Sequence, residues 1–297
     1  QLFRTDGQRM TQGPPMLGVG RILRTSPGWL AAATDRQIVL CDLRRGTQRK
    51  VDLSLVEITH LVIDPDTFGL ALVQERDRIG RATPSGRWIW KHELRSPVED
   101  LAVGNGGFSA ITTAEGELTI FDPAGEFRVG ARFDPSDPPL LIKAPDGSPP
   151  EIAWLTLSRR AQQLRGHEED GRIAWEIAVP WEGWQFLRID SLALAVASDG
   201  RALAIDGAGS VISRGGAGDS NDSFSISQEG EVIRASRKGE HLIQATLEGR
   251  VKWRSVLNHA PGPMTAGTTG VAIMLGKSLA WFPSETPRAP GESGPKR

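Results

Sequence analysis

One recurrence limits what this chain can fold into. A short apolar strand runs into a polar turn ending in Gly, and a second strand follows that often carries Trp. The clearest copies are RATPSGRWIWKHEL (81–94), IFDPAGEFRVGARF (120–133), LRGHEEDGRIAWEI (164–177), AIDGAGSVISRG (204–215) and IQATLEGRVKWRSV (243–256). LCDLRRGTQRKVDL (40–53) and LFRTDGQRM (2–10) fit less tightly. The turn glycines are Gly7, Gly46, Gly86, Gly125, Gly171, Gly209 and Gly249, spaced by 39, 40, 39, 46, 38 and 40 residues. A period of this size marks repeated units that bury their apolar faces against one another. The one long interval has a visible source, the Pro/Gly-rich stretch APDGSPPE at 144–151, which lengthens a loop.

Within each unit the apolar residues alternate or form short runs bounded by Gly, Asp, Asn and Pro, with no long window of helical spacing. The unit 97–136 divides into four such strands, around 98–103, 108–113, 118–121 and 127–133. Four strands per unit, repeated radially, predict an all-β fold: a seven-bladed β-propeller of four-stranded antiparallel blades. The blades are expected at 17–55, 56–96, 97–136, 137–181, 182–218, 219–258 and 259–284. The last has only three strands, and residues 1–16 hold a further turn and strand. The N-terminal segment is therefore expected to supply the outer strand of the last blade, closing the ring and covering a sheet edge. The propeller is read as a single domain, 1–284, and the Pro-, Gly- and charge-rich 285–297 as a disordered tail or linker.

Composition narrows the function classes. Thirty-five basic and 36 acidic residues leave a net charge of −1 and no basic stripe, so nucleic acid is not an expected partner. No run of about 18 apolar residues is present, so no membrane span is expected. Cys41, the only cysteine, has no disulfide partner within the chain and lies in an apolar run, as a small buried hydrophobe would. That usage favours the cytoplasm over the periplasm. The first residues, Gln1-Leu2-Phe3-Arg4, lack a leading Met and the layout of a signal peptide, as expected of a domain cut from a larger protein.

Gly86-Arg87-Trp88-Ile89-Trp90, Gly171-Arg172-Ile173-Ala174-Trp175 and Gly249-Arg250-Val251-Lys252-Trp253 resemble the repeats of the PQQ-like (quinoprotein-like) propeller superfamily. WD40 repeats are similar in length, but their Gly-His start and Trp-Asp ending are absent. The resemblance implies a propeller over nearly the whole chain. It also implies membership of the non-enzymatic branch, because the family's dehydrogenases are larger and hold their quinone with a vicinal cysteine pair. No cofactor is therefore expected.

Trp90, Trp175 and Trp253 share one repeat position and are read as wedges between adjacent sheets. Trp181-Glu182-Gly183-Trp184 falls outside that position, at a blade junction. Trp181 and Trp184, with the insertion 144–151, form the candidate partner-facing patch, since Trp is enriched at interface hot spots. Arg44 and Arg45, in a basic hairpin turn, are candidate contacts for an acidic partner. Asp219-Ser220-Asn221-Asp222-Ser223 alternates oxygen ligands but lacks the Gly and distal Glu of a calcium loop, and is read as a turn. His60, His92, His167, His241 and His259 show no metal-ligand spacing, and no nucleophile elbow or phosphate loop is present. The expected role is a protein-interaction scaffold. Two alternatives stay open: a small-ligand or glycan sensor using the central channel, and a hydrolase or lyase at the channel mouth.

Overall fold

The computed structural model describes residues 2–3, 9–11, 22–26, 29–33, 37–42, 47–51, 53, 57–64, 67, 69–189, 192–197, 201–216, 223–226, 232–236, 241–245, 250–257, 261–267, 270–275 and 278–283. The described chain is all-β apart from one short 3-10 turn, Asn105–Gly107. It forms six four-stranded sheets, one three-stranded sheet and a two-stranded pair of Leu2–Phe3 with Arg9–Thr11, each antiparallel and each made of consecutive strands. The third sheet shows the pattern: Val98–Val103, Ser109–Thr113, Glu117–Phe121 and Phe127–Arg132, in that spatial order. The first strands of successive sheets lie side by side. That of the last sheet, Pro261–Gly267, also lies beside that of the first, Ile22–Ser26, so the run of sheets returns on itself.

Sheets stacked face to face bury their middle strands on both sides. Such strands need continuous apolar character rather than alternation. Leu70–Gln74 and Ser109–Thr113 are buried at every residue, and Leu192–Ala197 at all but the first. The outer strands keep one side in water: Phe127–Arg132 and Ile173–Ala178 are mostly exposed. The apolar interior is accordingly divided among sheet–sheet interfaces. One cluster joins Ala31, Leu40 and Val51 of the first sheet to Leu61 and Leu72 of the second. Another joins Leu155 and Leu164 of the fourth to Ala195 and Ile205 of the fifth.

The turn glycines behave as the repeat demands. Gly86, Gly125, Gly171 and Gly209 have φ of 91, 92, 86 and 85°, a region that side chains with a Cβ rarely occupy. Each donates its N–H to the carbonyl three residues back, as Gly125 does to Asp122 at 3.0 Å. Gly7, Gly46 and Gly249 lie outside the described residues.

The tryptophan wedge has a backbone cause. In the second, fourth, fifth and sixth sheets the outer strand bulges at the third residue after the turn glycine: Ile89, Ala174, Ile212 and Lys252. A bulge adds one residue and re-aims the next side chain. In the second sheet that residue is Trp90, which stacks on Phe121 of the third at 5.2 Å and 14°. A Cβ on Gly125 would lie 2.7 Å from the Trp90 ring. Trp175 covers Gly209 of the fifth sheet in the same way. The side chain of Trp253 lies outside the described residues.

Candidate functional site

Near the N-terminal ends of the first strands, polar side chains tie one sheet to the next. Val98 to Asp100 and Ile58 to His60 both contain a bulge, which leaves the intervening residue unpaired in the ladder. His60 Nε2 bonds the carbonyl of Glu99 at 3.2 Å, and Asp100 Oδ2 accepts the N–H of Leu141 at 2.7 Å. These bonds replace the backbone ladder that adjacent first strands lack. Their chemistry is spent on holding the inner ring. Among the described residues no group of three His, Cys, Asp or Glu is placed to hold a metal ion.

Two further polar groups are built into the fourth sheet. His167, fully buried, bonds Thr156 Oγ1 at 2.8 Å and the Gly171 carbonyl at 3.1 Å. Burial pushes its pKa down to about 4, so the ring is neutral at neutral pH. Asp137 accepts from the Ser158 hydroxyl and from the N–H groups of Arg159, Arg160 and Ala161. Burial pushes its carboxyl up, but these bonds together outweigh it and hold the group below the usual carboxylate range. Burial drives the Cys41 thiol up to about 11, as an inert side chain in an apolar strand should behave.

The candidate patch of Trp181, Trp184 and the insertion does not come together. The insertion joins the first and second strands of its sheet, whereas Trp181 and Trp184 lie where the chain passes from the fourth sheet to the fifth. With antiparallel strands in sequence order, those connections lie at opposite ends of the sheets. Trp181 is 7% exposed, packs in the cluster between the fourth and fifth sheets, and has the Arg201 guanidinium 5.1 Å over its ring. Trp184 is the bulged residue of Gly183–Ile189, at the place Thr59 and Glu99 hold in their sheets, and its side chain lies outside the described residues. Arg44, Arg45 and the 219–222 turn also lie outside them.

The insertion builds something the repeat pattern did not announce. It borders a partly open cavity of about 310 Å³ between the third and fourth sheets. The apolar walls are Phe108, Ile152, Trp154 and the prolines Pro145, Pro149 and Pro150; Lys143, Asp146 and Glu169 supply the charge. Lys143 Nζ lies 3.7 Å from Asp146. Internal bonds brace the loop, from Ser148 Oγ to the Pro145 carbonyl at 2.6 Å and from the Ile152 N–H to that of Pro149 at 2.8 Å. Ser148 also packs on Gly207, in the outer turn of the fifth sheet. Trp154 sits deepest at 1% exposure, over Gly104, where a Cβ would meet its ring at 2.7 Å. The cavity was legible only as a loop of unusual length, because its walls come from two sheets.

No family model matches the chain, and no curated protein matches it in sequence. Solved structures match in shape. The β-propeller domain of Myceliophteria thermophila Cps50 (Swd1) superposes with a TM-score of 0.73 at 12% identity, covering 90% of this chain and 98% of that one. A catalytically inactive virginiamycin B lyase from Staphylococcus aureus, solved with quinupristin, gives 0.71 at 11% identity, covering 90% and 96%. The WD40 β-propeller domain of Doa1 gives 0.68 at 10% identity, covering 93% and 95%. Identities this low carry the fold alone. The chain is an all-β protein with the fold of a β-propeller.

Proposed function

We propose that this chain is a closed seven-bladed propeller, a single domain over 1–284, that acts as a non-catalytic protein-interaction scaffold. The seven-sheet run that returns on itself supports the blade count. The Leu2–Phe3 strand, lying against Ser278–Pro283, supports closure of the last blade by the N-terminal segment. The Gly-x-x-x-Trp copies support kinship with PQQ-like repeats.

One observation carries the binding role. The stretch 144–151 breaks the repeat, is braced on a neighbouring sheet, and borders a partly open cavity of mixed polar and apolar lining on one face of the disk. A regular propeller needs no such loop for stability, and loops on a rigid scaffold are where recognition concentrates. The engagement of His60 and Asp100 in ties between sheets supports the non-catalytic reading. Trp184 and the Arg44–Arg45 turn are proposed as secondary contacts, and Trp181 as packing.

The test is capture from the host of origin, with the chain as bait beside a variant in which 145–150 is replaced by Asn-Gly. A specific protein retained by the first and lost with the second, at unchanged melting temperature, is the expected result. Equal retention by both baits would move the binding face elsewhere.

A further inference from the structure

The free edge of the strand Phe127–Arg132 fits a second copy of this chain. We infer that two copies pair this outer strand of the third sheet antiparallel, about a two-fold axis at Val129. Phe127, Val129 and Arg132 do not line the cavity beside the 144–151 loop, so the inference goes beyond the scaffold reading and neither needs the other.

A sheet edge invites pairing unless a bulge, a charge or a covering segment blocks it. The second, fourth, fifth and sixth sheets bulge at the third residue after the turn glycine, early in the outer strand. The first sheet has no bulge there but exposes Arg49 and Lys50 on its outer strand. In the third sheet the register runs unbroken from Phe127 to Val129, and the extra residue is displaced to Gly130–Ala131. Val129 stands where other copies carry the tryptophan wedge, fourth after the turn glycine, and is 42% exposed. The contact with the next sheet is made by backbone, since a Cβ on Gly130 would lie 2.6 Å from the Gly171 Cα. Arg128 is turned toward that sheet and donates to the Glu169 carbonyl at 3.2 Å.

The hydrogen bond from the Asp122 N–H to the Glu126 carbonyl, at 2.9 Å, sets the alternation of the ladder. Arg128 and Ile120 then bond each other, and the N–H and C=O groups of Phe127 and Val129 point outward. Their side chains share one side of the strand, where Phe127 packs edge-on to His92 at 5.5 Å and stays 57% exposed. Arg132, opposite Glu117, falls on that same side beyond the bulge. A two-fold axis at Val129 sets that residue against its own counterpart. Counting the bulge as one step, it also sets Phe127 against Arg132 of the second copy, whose side chain is 75% exposed and free to lie over the ring. Arg128 meets only the small pair Gly130–Ala131, so no cation faces another. An axis at Arg128 would oppose two cations. This separation of charge is what favours a second copy, in this register, over an unrelated strand. Pairing of one short edge lies at the small end of specific interfaces, under about 1,200 Å² in total, so the dimer should exchange with monomer.

Sedimentation velocity of the whole chain, from micromolar to millimolar concentration, reads the association. A reversible dimer is expected. Val129→Lys and Val129→Glu each place like charges across the axis and should each abolish it. Mixing those two variants should restore a dimer, because opposite charges then face each other. Arg132→Ser removes a cation from each of two exposed rings and should weaken the dimer roughly tenfold. That residue is exposed, so this variant keeps the test decisive should a Val129 variant lose its thermal transition. Ile212→Lys, on the bulged edge of the fifth sheet, is the control and should leave the dimer intact. A monomer at every concentration, or a dimer that survives both charged Val129 variants, would overturn the pairing. So would a dimer lost to Ile212→Lys, or no recovery on mixing.

Discussion

Arg81 and Asp64 form an ion pair from which water is almost excluded, at side-chain exposures of 5 and 1%. Arg81 also donates to Thr67 Oγ1, and its guanidinium lies against Gly107, tying the second sheet to a loop of the third. Removing one member of such a pair leaves a buried charge. Arg81→Ala should therefore cost on the order of 3–5 kcal/mol in urea denaturation, far more than Arg132→Ala, whose pair with Glu117 is exposed. His167 makes the pH dependence specific. Its folded pKa, about 4, is below the ordinary 6.5, so the unfolded chain takes up a proton before the folded one does. Stability should be full above pH 6.5 and fall between 6.5 and 4, by roughly 3 kcal/mol from this residue. His167→Asn should flatten that part of the profile; an unchanged slope would assign it to other groups. The sequence showed these residues but not their pairing, since Asp64 and Arg81 stand 17 positions apart and meet only when their strands register.

The repeated element is a turn, a bulge and a wedge, complete in the second and fourth sheets and reduced to turn and bulge in the fifth. The left-handed glycine closes the hairpin, the bulge rotates the strand, and the tryptophan crosses to cover the next sheet's glycine. Gly125 and Gly147 separate the two demands on glycine. Both have positive φ, but a Cβ on Gly147 meets nothing within 4 Å, whereas one on Gly125 runs into Trp90. Gly147→Ala should cost about 1 kcal/mol of backbone strain, and Gly125→Ala about 1–3 kcal/mol more from overpacking. Thermal melts of the two variants check the difference. The glycine and the tryptophan were legible because both are residue types at fixed spacing. The bulge was not, because an extra residue shows only against its partner strand. The bulges also protect the outer edges, where Ile89 and Ile212 are 50 and 57% exposed.

At the scale of the molecule, the described sheets follow one another until the last lies beside the first, and stability is spread over many interfaces. Opening one interface then frees its neighbours. Deleting residues 1–14 should lower the melting temperature of the whole domain in a single transition; unchanged melting would remove the N-terminal segment from the ring. The period of the glycines, the apolar middle strands and the length of the 144–151 loop were all determined by sequence, because a repeat writes its local geometry once per copy. Tertiary structure alone decided the rest. It set the insertion and the Trp181–Trp184 junction at opposite ends of the sheets, and it turned a long loop into a cavity. A unit's place around a ring, and what its loops meet there, depends on neighbours some forty residues away that the local pattern does not encode.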